Sequence, residues 1–313
     1  MIDLTADDAI DAIAVAAEQV GFFTIIGHGI DPEVIDAAWS SARAFFDAPV
    51  PERARVAMVE AGDPYGWSPL GGETLTRSIG VDAVPDLKQS YAIGPVDPPT
   101  HEITDPDERF AWSENLWPEH PAGLRPAWEA YYRAMADLAA RLLSMMAVAL
   151  EMPPDHFEPL IDRHTSAMRA LDYPGRDDLV AMGLCDHADE RLGASAHTDY
   201  GTLTILLADP DQAGLQIQAA DGSWQNVDAV PGSFVVNLGD AMARWTNDRW
   251  RSTMHRVLVP DQRRQSIAFF HNANWDAVIE CLPGALGPGE APRYGPIAAG
   301  PHLMAKFRST VID

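Results

Sequence analysis

Hydrophobic and polar positions change rhythm about half-way along the chain. In the first half the apolar residues recur at helical spacing. Ile10, Ile13, Val15, Ala17 and Val20 supply a mostly apolar face, and Thr5 with Asp8 three residues on has the form of a capping box that would start this helix. The run Phe22 to Ile26 reads as a strand, and Asp31-Pro32 reads as a second helix start, with aspartate as cap and proline in the first turn. The longest helical pattern runs from about Pro126 to Leu150, where Trp128, Tyr131, Met135, Leu138, Leu142, Met145 and Leu150 follow one another near i+3 and i+4. That spacing predicts a central helix packed against a sheet.

From Ala167 onward the pattern becomes short runs of valine, isoleucine, leucine and phenylalanine. Turn signals such as Asp209-Pro210-Asp211, Ala220-Asp221-Gly222 and Val230-Pro231-Gly232 separate them. This rhythm suits a double-sheet β architecture. The Pro- and Gly-rich stretch from Pro283 to Pro301 reads as a long loop, followed by a short helical end at about His302 to Ser309. The expected organisation is a helix-rich region over 1–165 and a β-rich core with a C-terminal lid segment over 166–313, joined as one structural unit.

Composition narrows the function classes. A hydrophobic share of 47% over 313 residues supports a substantial packed core. The net charge of −24 argues against nucleic acid, whose phosphates demand a basic surface, and against anionic membranes. No lysine or arginine precedes Arg43, so a cationic leader is not expected, and no apolar stretch approaches a membrane span. Cys185 and Cys281 are too few for a disulfide framework, and free thiols in a reducing cytoplasm are the simpler reading. The oligomeric state is left open.

The candidate chemistry lies in the β-rich half. His197-Thr198-Asp199 presents an imidazole and a carboxylate two residues apart, which on a strand point to the same side. The apolar run Leu203 to Leu207 argues for extended structure here. His255 lies in another β-like stretch, Met254 to Val259, which a closed sheet would bring to the same ion. Two imidazoles and a carboxylate occupy one face of an iron ion and leave the opposite face open. Arg264 and Ser266 repeat the two-residue spacing and offer a guanidinium and a hydroxyl suited to a carboxylate held away from the metal. Taken singly these signals are weak: an H-x-D triplet arises by chance, and His255 also reads as a core histidine bonded to a carbonyl.

The neighbourhood shifts the balance. Gly21-Phe22-Phe23, His28-Gly29-Ile30, the stretch Gly66 to Glu73, Asp86-Leu87-Lys88-Gln89-Ser90-Tyr91, Ala196 to Thr204, Gly214 to Ile217, Asp221 to Trp224, Pro231 to Asp240, Thr246-Asn247, His255-Arg256-Val257 and Arg264-Gln265-Ser266 occur in order along nearly the whole chain. In this the chain resembles the isopenicillin N synthase-like family of Fe(II)- and 2-oxoglutarate-dependent oxygenases. The resemblance implies a mixed α/β fold, a double-stranded β-helix (jelly-roll) core flanked by helices. It implies His197, Asp199 and His255 as iron ligands, Arg264 and Ser266 on the distal carboxylate of 2-oxoglutarate, and Tyr173 beside that carboxylate. Many relatives carry an asparagine two residues before this tyrosine to help hold the co-substrate, whereas this chain has Leu171, so one polar contact is missing or replaced. After the arginine motif, His271 and Asn272 depart from the usual proline and read either as substrate contacts or as strand-end residues. Trp245 and Trp275 read as core or as pocket walls.

The implied activity is a dioxygenase reaction in which 2-oxoglutarate and O2 are consumed, succinate and carbon dioxide are released, and an unactivated C–H bond of a small molecule is oxidised. Hydroxylation is the expected outcome, with desaturation or ring closure as the alternative. A zinc hydrolase lacks support, since no H-E-x-x-H helix is present. A non-catalytic binding protein on the same fold is the other rival.

Overall fold

The computed structural model describes residues 1–58, 63–72, 85–100, 102–186 and 192–308. Glu73 and Ser309, named above as the ends of a motif and of a helix, lie outside them. Fourteen strands are found among the described residues: β1 (Ile2–Asp3), β2 (Phe22–Ile26), β3 (Gly66–Ser68), β4 (Gln89–Ile93), β5 (Ala167–Tyr173), β6 (Leu192–His197), β7 (Leu203–Ala208), β8 (Leu215–Gln218), β9 (Trp224–Asn226), β10 (Phe234–Leu238), β11 (His255–Leu258), β12 (Arg264–His271), β13 (Val278–Ile279) and β14 (Ile297–Ala298). They form an eight-stranded sheet in the order β1-β2-β10-β7-β12-β5-β4-β3, a four-stranded sheet in the order β6-β11-β8-β9, and the small pair β13-β14. The two larger sheets are the halves of the jelly roll.

Period-two alternation decides what each face of the large sheet does. On β12, Ile267 and Phe269 join a core shared with the helices, while Ala268 and Phe270 belong with residues of the small sheet such as Leu215, Ile217 and Val257. β5 behaves alike, with Met168 and Ala170 behind the sheet and Leu171 and Tyr173 in front. The back core centres on the helix Leu124–Ala149, which buries Trp128, Tyr131, Met135, Leu138 and Leu142 among others. Each fully buried large apolar side chain contributes about 1.5–3 kcal/mol, so this face carries most of the folding energy. The front space between the sheets is left partly open.

The strand at Phe22–Ile26 and the helix capped by Asp31 form as expected, the Asp31 carboxylate accepting from the Glu33 amide at 2.9 Å. The capping box does not form. Thr5 bonds instead to Asp3, its hydroxyl donating to Oδ1 at 2.7 Å, and the helix Ala9–Gln19 begins after Asp8 without a side-chain cap. The competing acceptor two residues upstream takes the hydroxyl first. The expected loop after Pro283 contains β14, whose pairing with β13 leads directly into the last helix, Ala299–Arg308. Among the described residues no helix is long and apolar enough to cross a membrane.

Candidate active site

β6 and β11 lie side by side, antiparallel, with His197 directly opposite His255. Their ring centroids are 4.3 Å apart. Asp199 is not on the strand with His197, as the two-residue spacing suggested, because β6 ends at His197. The chain turns there, and the turn is fixed by backbone bonds: the Asp240 amide donates to the Asp199 carbonyl at 2.8 Å and the Gly239 amide to the Thr202 carbonyl at 3.0 Å. A β-carbon on Gly239 would stand 2.2 Å from the Gly201 carbonyl oxygen, so only glycine permits this crossing. The outcome is the convergence that the spacing was invoked to explain. The ligand atoms of His197, Asp199 and His255 lie within 4.8 Å of one another.

The hydrogen bonds around the three residues assign their free lone pairs. His197 Nδ1 faces the Ser195 carbonyl at 2.6 Å and His255 Nδ1 faces the Thr253 carbonyl at 3.1 Å. A carbonyl only accepts, so each Nδ1 carries the proton and each Nε2 presents its lone pair. Both Nε2 atoms stand 3.9 Å from the same carboxylate oxygen, Asp199 Oδ1. The other oxygen, Oδ2, accepts from the Thr204 hydroxyl at 2.6 Å and from Asn237 Nδ2 at 2.7 Å, which leaves Oδ1 turned towards the imidazoles. Burial and the neighbouring His255 bring His197 down to about 4, so its ring is neutral near pH 7. Burial pushes the Asp199 carboxyl up, but the two imidazoles and the bonds from Asn237 and Thr204 outweigh it and hold the group below its ordinary value. Two imidazoles and a carboxylate are the donor set that suits ferrous iron with open positions.

The three residues open into a cavity of about 790 Å³ between the sheets. Arg264, Ser266 and Tyr173 line the same cavity. Arg264 is 2% exposed, and its Nε and Nη1 have no hydrogen-bond partner. Its guanidinium lies 5.1 Å from the centre of the Tyr173 ring. Burial raises the Tyr173 phenol above its usual range, so it remains protonated, although the Arg264 charge works the other way. A buried cation with unsatisfied N–H groups is costly, and a bound carboxylate relieves that cost. The cavity therefore fits a ligand with an acid group reaching Arg264.

Of the residues with two readings, His271 and Asn272 both border the cavity. Asn272 and one nitrogen of His271 are engaged by the protein, whereas His271 Nε2 is buried without a hydrogen-bond partner. His271 Nδ1 meets the Thr202 hydroxyl at 2.7 Å and Asn272 Nδ2 donates to the Thr165 carbonyl at 2.9 Å. Trp245 is core, packed 5.2 Å from Phe157, and Trp275 lies against Gly300; neither borders the cavity. The last helix covers one side of the opening with Leu303, Met304 and Phe307. It is held by Lys306 Nζ, 2.7 Å from Asp240 Oδ2, and by Phe307, 5.2 Å from Phe110. Sequence reasoning missed Thr204 and Asn237 as supports of Asp199. A polar residue inside the apolar strand Phe234–Leu238 was the available signal.

Residues 165–273 match the family model of the 2OG-Fe(II) oxygenase superfamily, and residues 1–120 match the N-terminal model described as non-haem dioxygenase in morphine synthesis. A homoarginine-6-hydroxylase from Arabidopsis thaliana is 31% identical over 98% of this chain and 91% of its own length. The chain belongs to the 2-oxoglutarate- and Fe(II)-dependent oxygenase superfamily. The oxygenase is also 34% identical to the 2-oxoglutarate-Fe(II) type oxidoreductase hxnY of Emericella nidulans, over 94% of this chain and 82% of that one. Among solved structures it resembles a full-length Neurospora crassa protein in complex with alpha-KG and thymine, at 26% identity and a TM-score of 0.82, covering 98% of this chain and 96% of that one. It is an oxidoreductase, a dioxygenase that uses Fe(II), 2-oxoglutarate and O2 on a small molecule.

Proposed function

We propose that His197, Asp199 and His255 hold the iron, that Arg264, Ser266 and Tyr173 seat 2-oxoglutarate, and that the oxygenase hydroxylates a C–H bond of a small substrate in the remaining cavity. The observation that carries this reading is the pair of Nε2 lone pairs aimed at one Asp199 oxygen while its other oxygen is tied to Thr204 and Asn237. Bound iron and 2-oxoglutarate together supply the oxidant, the co-substrate leaving as succinate and carbon dioxide. The protein's own part is positional. The Ser195 and Thr253 carbonyls keep the two rings in the tautomer that binds metal. Arg264 orients the co-substrate through its far carboxylate. The last helix limits water at the opening.

Hydroxylation is favoured because relatives along the whole chain carry that activity in their names, one on homoarginine. The related Neurospora crassa structure holds thymine, so compact polar molecules enter sites of this build. The isopenicillin N synthase-like grouping, a cytoplasmic location and an absence of nucleic-acid or membrane partners complete the proposal, supported by the ordered motifs and by the charge of −24. So does a single unit in which the 1–165 region completes the sheet of the 166–313 core, with the last helix as lid; β1 to β4 in the large sheet support it.

Anaerobic metal titration followed by succinate assay tests the assignment. His197→Ala is expected to abolish iron-dependent turnover, and Arg264→Ala to raise the 2-oxoglutarate concentration needed for half-maximal rate by about tenfold or more. Full activity of His197→Ala with iron would refute the metal assignment.

A further inference from the structure

Asp240 touches both parts of the candidate metal site and the helix that covers the cavity. It is the first residue of the short helix Asp240–Trp245, which the chain enters through the Gly239 crossing. Its amide donates to the Asp199 carbonyl at 2.8 Å. Its carboxylate takes three further groups. Oδ1 accepts from the Ser252 hydroxyl at 2.6 Å, while Oδ2 accepts from the Thr198 hydroxyl at 3.3 Å and from Lys306 Nζ at 2.7 Å. Three segments far apart in the sequence thus meet on one side chain.

Each contact bears on the ligands or on their cover. Thr198 stands between His197 and Asp199, so Asp240 holds the loop that follows β6 at two points, once by its amide and once by its carboxylate. Ser252 precedes Thr253, whose carbonyl fixes the ring of His255 through Nδ1 at 3.1 Å. Lys306 belongs to the last helix, Ala299–Arg308, which borders the cavity with Leu303, Met304 and Phe307. With Lys306 39% exposed and Asp240 15%, their ion pair is too wet to add much stability by itself. The helix is also held by Arg308 on Asp107 and by Phe307 against Phe110. What the lysine adds is a link. With the helix docked, Oδ2 is gripped by the ammonium in the orientation that also receives Thr198. With the helix lifted, Ser252 alone holds the carboxylate closely, and the longer bond from Thr198 is free to lengthen.

We propose that Asp240 is a positioning residue that couples docking of the last helix to the setting of the metal ligands. Closing the helix over the cavity tightens the metal site, and a filled metal site holds the helix closed. The inference rests on the reading of His197, Asp199 and His255 as the ligands. The consequence for the reaction is that the ligands are set most firmly when the cavity is shielded from water.

Coupling between two sites is reciprocal, so it can be entered from either end. Two anaerobic measurements on the full chain do this without turnover: Co(II) titration, and deuterium exchange of amides 299–308 with and without Co(II). In the parent protein Co(II) is expected to slow exchange in that helix by about fivefold or more. Lys306→Met, a change on the helix itself, is expected to weaken Co(II) by about fivefold or more, and Lys306→Arg to restore it by keeping the cation. The double variant Thr198→Val/Ser252→Ala leaves the helix untouched and is expected to speed its exchange. A merely structural Asp240 would lower the melting temperature in Asp240→Asn but leave the two ends independent. Co(II) affinity of Lys306→Met within about twofold of the parent, or helix exchange indifferent to Co(II) in the parent, overturns the coupling. His197→Ala separates this failure from that of the underlying reading: if it binds Co(II) as the parent does, the metal lies elsewhere and the proposal falls with the ligand assignment.

Discussion

Asn237 shows how much of a metal site lies one bond behind the ligands. Its amide donates to Asp199 Oδ2 at 2.7 Å and, with Thr204, decides which carboxylate oxygen is left for the metal. Partners of this kind are typically worth roughly 10–100-fold in metal affinity. Asn237→Ala is therefore expected to weaken Co(II) binding by at least about tenfold in an anaerobic titration, with the melting temperature little changed. Unaltered affinity would mean that Thr204 alone orients the carboxylate. The proposed ligands were readable from the chain because H-x-D, a later histidine and R-x-S form a motif whose members carry their chemistry in their side chains. Thr204 and Asn237 were not readable in the same way. Their roles arise from strands that meet only in the folded sheet, and an asparagine or threonine in isolation carries no sign of its partner.

At the scale of the element, the eight residues of β12 serve two environments by alternation. Phe269 is buried behind the sheet, its ring 5.0 Å from Tyr132, whereas Phe270 borders the cavity. Phe269→Ala is expected to cost about 3–5 kcal/mol in urea denaturation while leaving metal affinity intact. Phe270→Ala should cost clearly less, since its ring already faces open space; equal losses would contradict the two-faced reading. The element pattern was legible wherever burial repeats regularly. The central helix was expected from Pro126 and begins at Leu124, because side-chain periodicity marks the middle of a helix better than its first turn. The Thr5 capping box failed for a local reason, since Asp3 competes for the hydroxyl. Asp199 was expected on a strand and lies in the loop that follows β6, yet the convergence survived, because tertiary bonds to Asp240 do the work assigned to the pleat.

For the whole molecule, buried neutral histidines tie stability to pH. Burial, with His164 adding to it, holds His271 well below the ordinary value of 6.5. Above pH 6.5 both folded and unfolded chains leave this ring neutral, and its contribution is complete. As the pH falls below that value the unfolded chain takes up a proton that the folded one refuses, so stability is lost at up to about 1.4 kcal/mol per pH unit for each such ring. Urea denaturation of the metal-free protein should thus show lower stability at about pH 5.5 than at about pH 7.5, and His271→Asn should flatten that dependence. The same slope in both proteins would remove His271 from the account.

The large sheet keeps its fold-determining side chains on one surface and its ligand-facing side chains on the other, though both hang from the same strands. Exchanges at inward positions such as Phe270 or Leu206 therefore reshape the chamber while the rear packing, and with it most of the folding energy, goes untouched. Such a scaffold can drift from one substrate to another by single steps, each tolerable to the fold, around an unchanged metal.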